Sequence, residues 1–391
     1  MADLVHARSE PGATHRIRVQ RGPLALSLAL LAVGVAGLAA QQGWRHGVLF
    51  AIGALLGLAL YAASFGFTAA YRRLIVRRDA SGVYAQLLML ALATILFVPA
   101  LAEGELFGRP VGGAVAAFST QVAVGAFLFG LGMQLAGGCG SGTLYTVGGG
   151  SARMVVTLVA FCAGGFWASL HMGFWQALPS AGAVSLGTAL GWPQAVVVQL
   201  GLVAAIAAAL WAMTGAAPAA WRGIVRAYWP LILGAVALAV LNFATLAVAG
   251  HPWSITWAFT LWGAKSAALM GWDASTSGFW TGGFQGRALG ASVFRDNISV
   301  MNMGLVLGAL AAASLAGRFA PRLRIPPLSL AAAVLGGVLM GYGARIAFGC
   351  NIGAFFSGVA STSLHGWLWI VTGFAGNWLG VRLRPHFGLE N

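Results

Sequence analysis

Residues Gly125–Val147 read GAFLFGLGMQLAGGCGSGTLYTV, and residues Gly336–Gly358, displaced by 211 positions, read GGVLMGYGARIAFGCNIGAFFSG. The two segments align without a gap: Gly130 falls on Gly341, Gly132 on Gly343, Ala136 on Ala347, Gly138 on Gly349, Cys139 on Cys350 and Gly142 on Gly353. In each copy a long apolar run stops at a glycine-cysteine turn and restarts as a short second run. The glycines of LAGGCGSGTLY (Leu135–Tyr145) would strain a continuous helix, so a broken helix is expected. Backbone that leaves the helix at membrane depth needs protein or water around it, because an unsatisfied amide in hydrocarbon costs several kcal/mol. Both turns are therefore expected to line a site rather than face lipid.

The rest of the chain fixes the solvent. Its 391 residues are 59% hydrophobic and 8% charged, too few charges to cover a water-soluble globule of this size. Apolar runs recur near residues 24–42, 47–66, 84–102, 111–136, 154–172, 192–213, 229–249, 253–271, 298–317, 328–348 and 363–381. Roughly nine to eleven of these should cross a bilayer, since about 20 residues span its hydrocarbon. The expected fold class is all-α: a polytopic integral membrane protein with short re-entrant helices at the turns. Several of the 15 tryptophans, Trp44, Trp192, Trp253 and Trp367 among them, fall near span ends, as interface anchors do.

A second, weaker self-match pairs Ser64–Asp79 (SFGFTAAYRRLIVRRD) with Ser277–Asp296 (SGFWTGGFQGRALGASVFRD) across a short gap, in the same order relative to the cysteine turns. The chain thus reads as a basic cytoplasmic tail (1–22) and one membrane domain (23–384), followed by a short tail (385–391). The membrane domain consists of repeat 1 (24–172), a linker helix region (192–213) and repeat 2 (229–384). Repeats of this size in transporters place the substrate near the midplane where the halves meet. The formal charge of +14 is mostly arginine, clustered at Arg72–Arg78, at Arg222 and Arg226, and at Arg318–Arg324. Positive-inside logic makes these loops cytoplasmic. Counting all eleven runs as spans puts Arg318–Arg324 outside. A re-entrant stretch between 253 and 297 returns them inside and makes the repeats inverted, the arrangement expected here.

Other classes fall away. No compact basic domain exists to hold nucleic acid, so the arginines read as solvated loops. Arg16, Arg18 and Arg21 precede the Leu24 run and imitate a secretory leader, but a retained first span fits the remaining runs better. Three cysteines without CxxC or HxxxH spacing exclude a disulfide scaffold and a structural metal, and no cofactor is expected. Cys162, in a plain apolar stretch, reads as a small buried hydrophobe. His251, His365 and His386 read as structural or interfacial.

The turns suggest their own chemistry. A helix starting after each cysteine directs unpaired N–H groups and a positive dipole end at a common space, which suits an anion. Ser141, Thr143 and Asn351 add polar groups, and the bare backbone at Gly138, Gly140, Gly142, Gly349 and Gly353 lets a small ligand approach. A thiol is a weak donor for a hard oxyanion and suits a soft sulfur atom better. Arg345, five residues before Cys350, is a cation inside an apolar run and a candidate helper for an anion. No GxxxxGK[ST] phosphate loop occurs, so ATP does not power the chain directly. A membrane enzyme working through a cysteine persulfide would need an activated thiolate, and only Arg345 and His365 stand near the turns in sequence to activate one. A packing subunit, whose small residues merely allow close helix contact, is the remaining alternative. The chain is read as a transporter and not an enzyme.

GLGMQLAGGCGSG (Gly130–Gly142), GYGARIAFGCNIGAFFSGVAS (Gly341–Ser361) with SLHGW (Ser363–Trp367), and the FTAAYRR and FRD elements resemble the YeeE/YedE sulfur-transport family. The resemblance covers nearly the whole chain. It implies a bacterial inner-membrane, multi-pass importer of a small sulfur-containing anion such as thiosulfate, folded as an hourglass of membrane helices surrounded by membrane lipid. It also implies that Cys139 and Cys350 relay the anion through S–H contacts, and that a small cytoplasmic TusA-like sulfur carrier is a partner. Thiosulfate transporters of that family have a third cysteine in an element like RFCFTAAFRD. This chain reads SFGFTAAYRR, with Gly66 at that position, which makes another sulfur or selenium species the alternative cargo.

Overall fold

The computed structural model describes residues 19–215, 221–321 and 323–391; the side chains of residues 221–228 are also outside the description. Arg16, Arg18 and most of the basic tail, together with the side chains of Arg222, Arg226 and Arg322, thus lie outside the described residues. The first half runs α1 (Arg21–Gln42), α2 (Trp44–Ala62), α3 (Phe67–Arg77), α4 (Ser81–Glu103), a hairpin of β1 (Glu105–Leu106) and β2 (Arg109–Pro110), β3 (Ala117–Ser119), α5 (Thr120–Ala136), α6 (Gly140–Gly148) and α7 (Ala152–Ser169). A connecting region follows: α8 (Met172–Gln176), β4 (Ser180–Ala183), α9 (Leu186–Leu190) and α10 (Trp192–Thr214). The second half runs α11 (Trp221–Ala249), α12 (Thr256–Leu269), α13 (Gly283–Gly290), α14 (Asn297–Leu315), α15 (Pro327–Ile346), a π-helical stretch (Asn351–Phe356), α16 (Ser357–Ala360) and α17 (Leu364–Leu383).

Among the described residues, nine helical stretches are long and apolar enough to cross a membrane. The chain is a polytopic, all-α, multi-pass membrane protein. Three expected spans come out differently, one of them 363–381, whose helix α17 is not among the nine apolar stretches. The run at 111–136 contains a helix only from Thr120, because its first part lies extended and β3 pairs antiparallel with β4. The run at 253–271 yields α12, whose 14 residues rise only about 21 Å. That falls short of a hydrocarbon core of about 30 Å.

Lipid tails supply no hydrophobic drive between helices, so packing comes from close backbone approach. Gly53 and Gly57 of α2 lie against the Met301 and Leu305 carbonyls of α14, and Gly304 and Gly308 of α14 lie against Phe50 and Ala54 of α2. These pairs advance together, so α2 and α14 run parallel. In α5 and α15, Gly125 sits by Gly343 and Ile346, and Gly132 by Gly336 and Met340. These two helices therefore run antiparallel and overlap, each ending in a cysteine turn. Gly164 of α7 and Gly376 of α17 abut α15 and α5 in the same way. Helices of the two halves are thus interleaved around one shared core.

Gln20, at the start of α1, donates from its backbone to the Ser314 carbonyl (3.0 Å) and from its side chain to Phe319 O (2.8 Å), and accepts from Phe319 N–H (3.0 Å). The head of α1 and the loop beginning at Arg318 thus share one face of the protein.

Candidate thiol-lined site

Each cysteine caps the restart of a broken helix. In the first turn, Gly137 takes a left-handed conformation (φ 86°) and ends α5, while Cys139 in extended backbone begins α6. The first turn of α6 is pinned by Thr143, whose backbone N–H and Oγ1 donate to Cys139 O at 2.8 and 2.9 Å. The Cys139 thiol lies 3.4 Å from Ser141 Oγ. In the second turn, Phe348 (φ 59°) and Gly349 (φ 152°) carry the reversal, and Ile352 N–H donates to Cys350 Sγ at 3.5 Å. Ala354 N–H and Phe355 N–H both donate to Cys350 O, at 2.9 and 3.3 Å, which widens the restart into a π-turn. Trp369 Nε1 holds the Gly349 carbonyl at 3.3 Å.

Both cysteines are free and buried, 1% and 0% exposed. A Cβ placed on Gly140 would stand 3.3 Å from Cys350 Sγ, and 3.5 Å from Ile255 and Thr256. The missing side chain at Gly140 is therefore what lets the turn of one half reach the thiol of the other. The Ser254–Thr256 segment closes this centre, with Ser254 Oγ 2.9 Å from the corresponding Cβ position of Gly353 and Asn302 Nδ2 donating to Ile255 O at 3.0 Å. Gly142 faces its own Cys139 Sγ, and Gly138 its own turn at Gly142 and Thr143. Gly66, just ahead of α3, faces the Tyr145 hydroxyl, 3.4 Å from its Cβ position.

Arg345 takes another direction. Its guanidinium lies over the Phe279 and Trp257 rings, 5.1 and 5.9 Å from their centroids, and its Nε is buried without a partner among the described residues. A cation on aromatic faces is held without being neutralised. Asn351 is fully buried, and among the described residues neither its Nδ2 nor its Oδ1 meets the geometry of a hydrogen bond. Cys162 lies in α7, where its carbonyl backs onto Gly263. His365 Nδ1 pairs with Ser363 Oγ at 2.7 Å, and its ring packs on Gly358, a structural position. Among the described residues, no group of three or more His, Cys, Asp or Glu gathers as a metal site would require.

Sequence reasoning missed two sets of residues. Arg153 donates from Nη2 to Leu135 O (2.8 Å), from Nη1 to Ala136 O, and from Nε to Ser329 Oγ (2.8 Å). Arg384 donates from Nη1 to Gln134 O at 2.6 Å. Together they satisfy the last three carbonyls of α5. Among the described residues, the buried hydroxyls of Tyr71 and Thr68, on one face of α3, show no hydrogen-bond partner. The weaker self-match and the FTAAYRR resemblance pointed to this element without singling out either residue.

The fold and its centre define a multi-pass helical membrane protein with two buried thiols brought together from its two halves. The sulphur transport family model matches residues 62–379, and the chain belongs to that family. It is 28% identical over 342 residues to the thiosulfate transporter TsuA of Spirochaeta thermophila, covering 84% of this chain and 95% of that one. It is 32% identical over 162 residues to the probable transporter YedE of Escherichia coli and 31% identical over 162 residues to that of Salmonella typhimurium. Each of these two matches covers 41% of this chain and 39% of the relative, so the similarity spans about two fifths of the YedE proteins.

Proposed function

We propose that this protein imports a small sulfur-containing anion across a bacterial inner membrane, passing it between Cys139 and Cys350. Thiosulfate, the substrate in the name of the Spirochaeta relative, is the first candidate. The observation that carries this reading is that Gly140, next to Cys139, faces Cys350 Sγ with only the room of a missing side chain between them, so the two matching turns meet with both thiols buried. Weak S–H contacts hold a sulfur atom loosely enough for release, which conduction needs as much as entry. The N–H groups at the starts of α6 and of the π-turn add positive potential for the anion. The antiparallel crossing of α5 and α15 supports reading residues 24–172 and 229–384 as inverted repeats joined through 192–213. Arg345, held on aromatic rings without a counter-charge, fits a collecting role for anions. A TusA-like carrier on the arginine-rich face completes the scheme as the receiver of the sulfur.

The test is uptake of radiolabelled thiosulfate by a strain lacking its own sulfur importers, with sulfite, sulfide and selenite as competitors. Cys139→Ala and Cys350→Ala should each abolish uptake while the protein remains folded in the membrane. Wild-type uptake in both variants would remove the relay. Competition by selenite stronger than by unlabelled thiosulfate would move the cargo to selenium.

A further inference from the structure

Where α5 and α17 lie side by side, an open apolar groove of about 410 Å³ is lined by Phe127, Val371, Phe374, Ala375, Trp378 and Leu379. Its origin is the helix packing. Gly376 and Gly380 of α17 abut the carbonyls of Phe127 and Leu131, which draws the two helices together on one side. On the other side Ala375, small and exposed, stands between larger neighbours and leaves a hollow. Val371 is 69% exposed and Trp378 46%, so the groove looks out of the bundle, away from the cysteine turns. The 20 residues of α17 are long enough to cross hydrocarbon. Gly373, Gly376, Asn377 and Gly380, which lower its hydropathy, are buried, and the face left outward is apolar.

The groove ends in a cation. Val371, Phe374, Trp378 and Arg382 follow one another at helical spacing along one face of α17. The Arg382 guanidinium lies over the Trp378 ring, 3.2 Å from its centroid. Arg382 is exposed, and among the described residues no carboxylate pairs with it. From Val371 to Arg382 the helix rises about 16 Å. That matches the depth of one leaflet, half of a hydrocarbon core about 30 Å thick. This end of α17 lies on the arginine-rich side: Arg384 reaches Gln134 O, and Arg153 reaches Ala136 O and Ser329, just past the loop at Arg318–Arg324. Positive-inside logic makes it the cytoplasmic leaflet.

We infer that this groove binds one anionic phospholipid of the cytoplasmic leaflet, with an acyl chain along Val371, Ala375 and Leu379 and the headgroup phosphate on Arg382. A guanidinium offers paired N–H donors that match phosphate oxygens. A tryptophan beside it suits the boundary between hydrocarbon and headgroups. The apolar length and the single cation at its end fit one lipid molecule, chain and head together.

Purified full-length protein in detergent is titrated with dioleoylphosphatidylglycerol or dioleoylphosphatidylcholine, and the first bound lipid is read by native mass spectrometry. The wild type should prefer the anionic lipid, whose phosphate is not offset by a choline cation. Arg382→Gln should weaken that lipid at least about tenfold, the loss of hydrogen bonds to a charged group, and erase the preference. Arg382→Lys should retain part of it. Ala375→Phe, which fills the groove from an exposed position, should lose the first lipid of either kind. Should Ala375→Phe fail to fold, Arg382→Gln decides alone. Equal affinity for the two lipids in the wild type, or an unchanged preference in Arg382→Gln, overturns the inference. So does a wild type that is dimeric where Ala375→Phe is monomeric, since the groove then holds a second copy of the chain.

Discussion

The two cysteine turns carry the same pattern of glycines and thiol, yet they are built differently. The first ends α5 with a left-handed glycine, restarts as an ordinary α-helix, and has its carbonyl end satisfied from outside by Arg153 and Arg384. The second needs two residues at positive φ, restarts as a π-turn, and relies on its own backbone and Trp369. A guanidinium donating to helix-end carbonyls also opposes the negative end of the helix dipole. One turn is thus braced by charge and the other by backbone geometry. Equivalence in sequence fixes where the thiols go; it does not fix what holds them.

Substitutions can break or sharpen that contrast. The largest effect is expected at the point where the turns meet: Gly140→Val would push a branched side chain into Cys350 Sγ, Ile255 and Thr256 and should abolish uptake, measured as thiosulfate entry into cells at equal expression. Next come the two glycines preceding the cysteines. At Gly349 a Cβ would sit 2.8 Å from Ala354 N in a backbone with φ 152°, so Gly349→Ala should cost about 1–3 kcal/mol and most of the uptake. The matched Gly138→Ala meets backbone at 3.2 Å in an allowed conformation, and should cost less than about 1 kcal/mol. Equal effects at the two positions would show that the turns are energetically alike after all. Arg153→Ala leaves two carbonyls of α5 without donors and should lower stability by about 2 kcal/mol, read as a fall in the unfolding midpoint. The smallest change belongs to Ser141→Ala, which removes only the 3.4 Å contact to Cys139 Sγ and should cost no more than about 1 kcal/mol.

Much of this was legible in the sequence because its signals are local or periodic. Apolar runs, the gapless repeat and the glycine-cysteine turns are each written within about 25 residues, and they led directly to Cys139 and Cys350. The extended segment before Thr120 escaped notice because glycine, alanine and valine are as apolar in a strand as in a span, and its pairing with β4 joins segments about 60 residues apart. Arg384 was invisible as a cap because its carbonyl partner, Gln134, lies 250 residues away. Tyr71 was quoted only within the FTAAYRR element, and the burial of its hydroxyl came only with the fold. Arg345 was singled out as a cation inside an apolar run, and its seat on Phe279 and Trp257 came only with the fold.

The glycine contacts between α2 and α14, and between α5 and α15, have a consequence for speed. Backbones locked at this distance across the two halves oppose the rocking of one half against the other, a motion that takes microseconds to milliseconds. Side chains at the meeting of the turns can turn without either backbone moving, although their burial slows them. Under the proposed thiol relay, passage would then need side-chain movement at the turns rather than displacement of one half against the other, and uptake should depend only weakly on the thickness or stiffness of the surrounding bilayer.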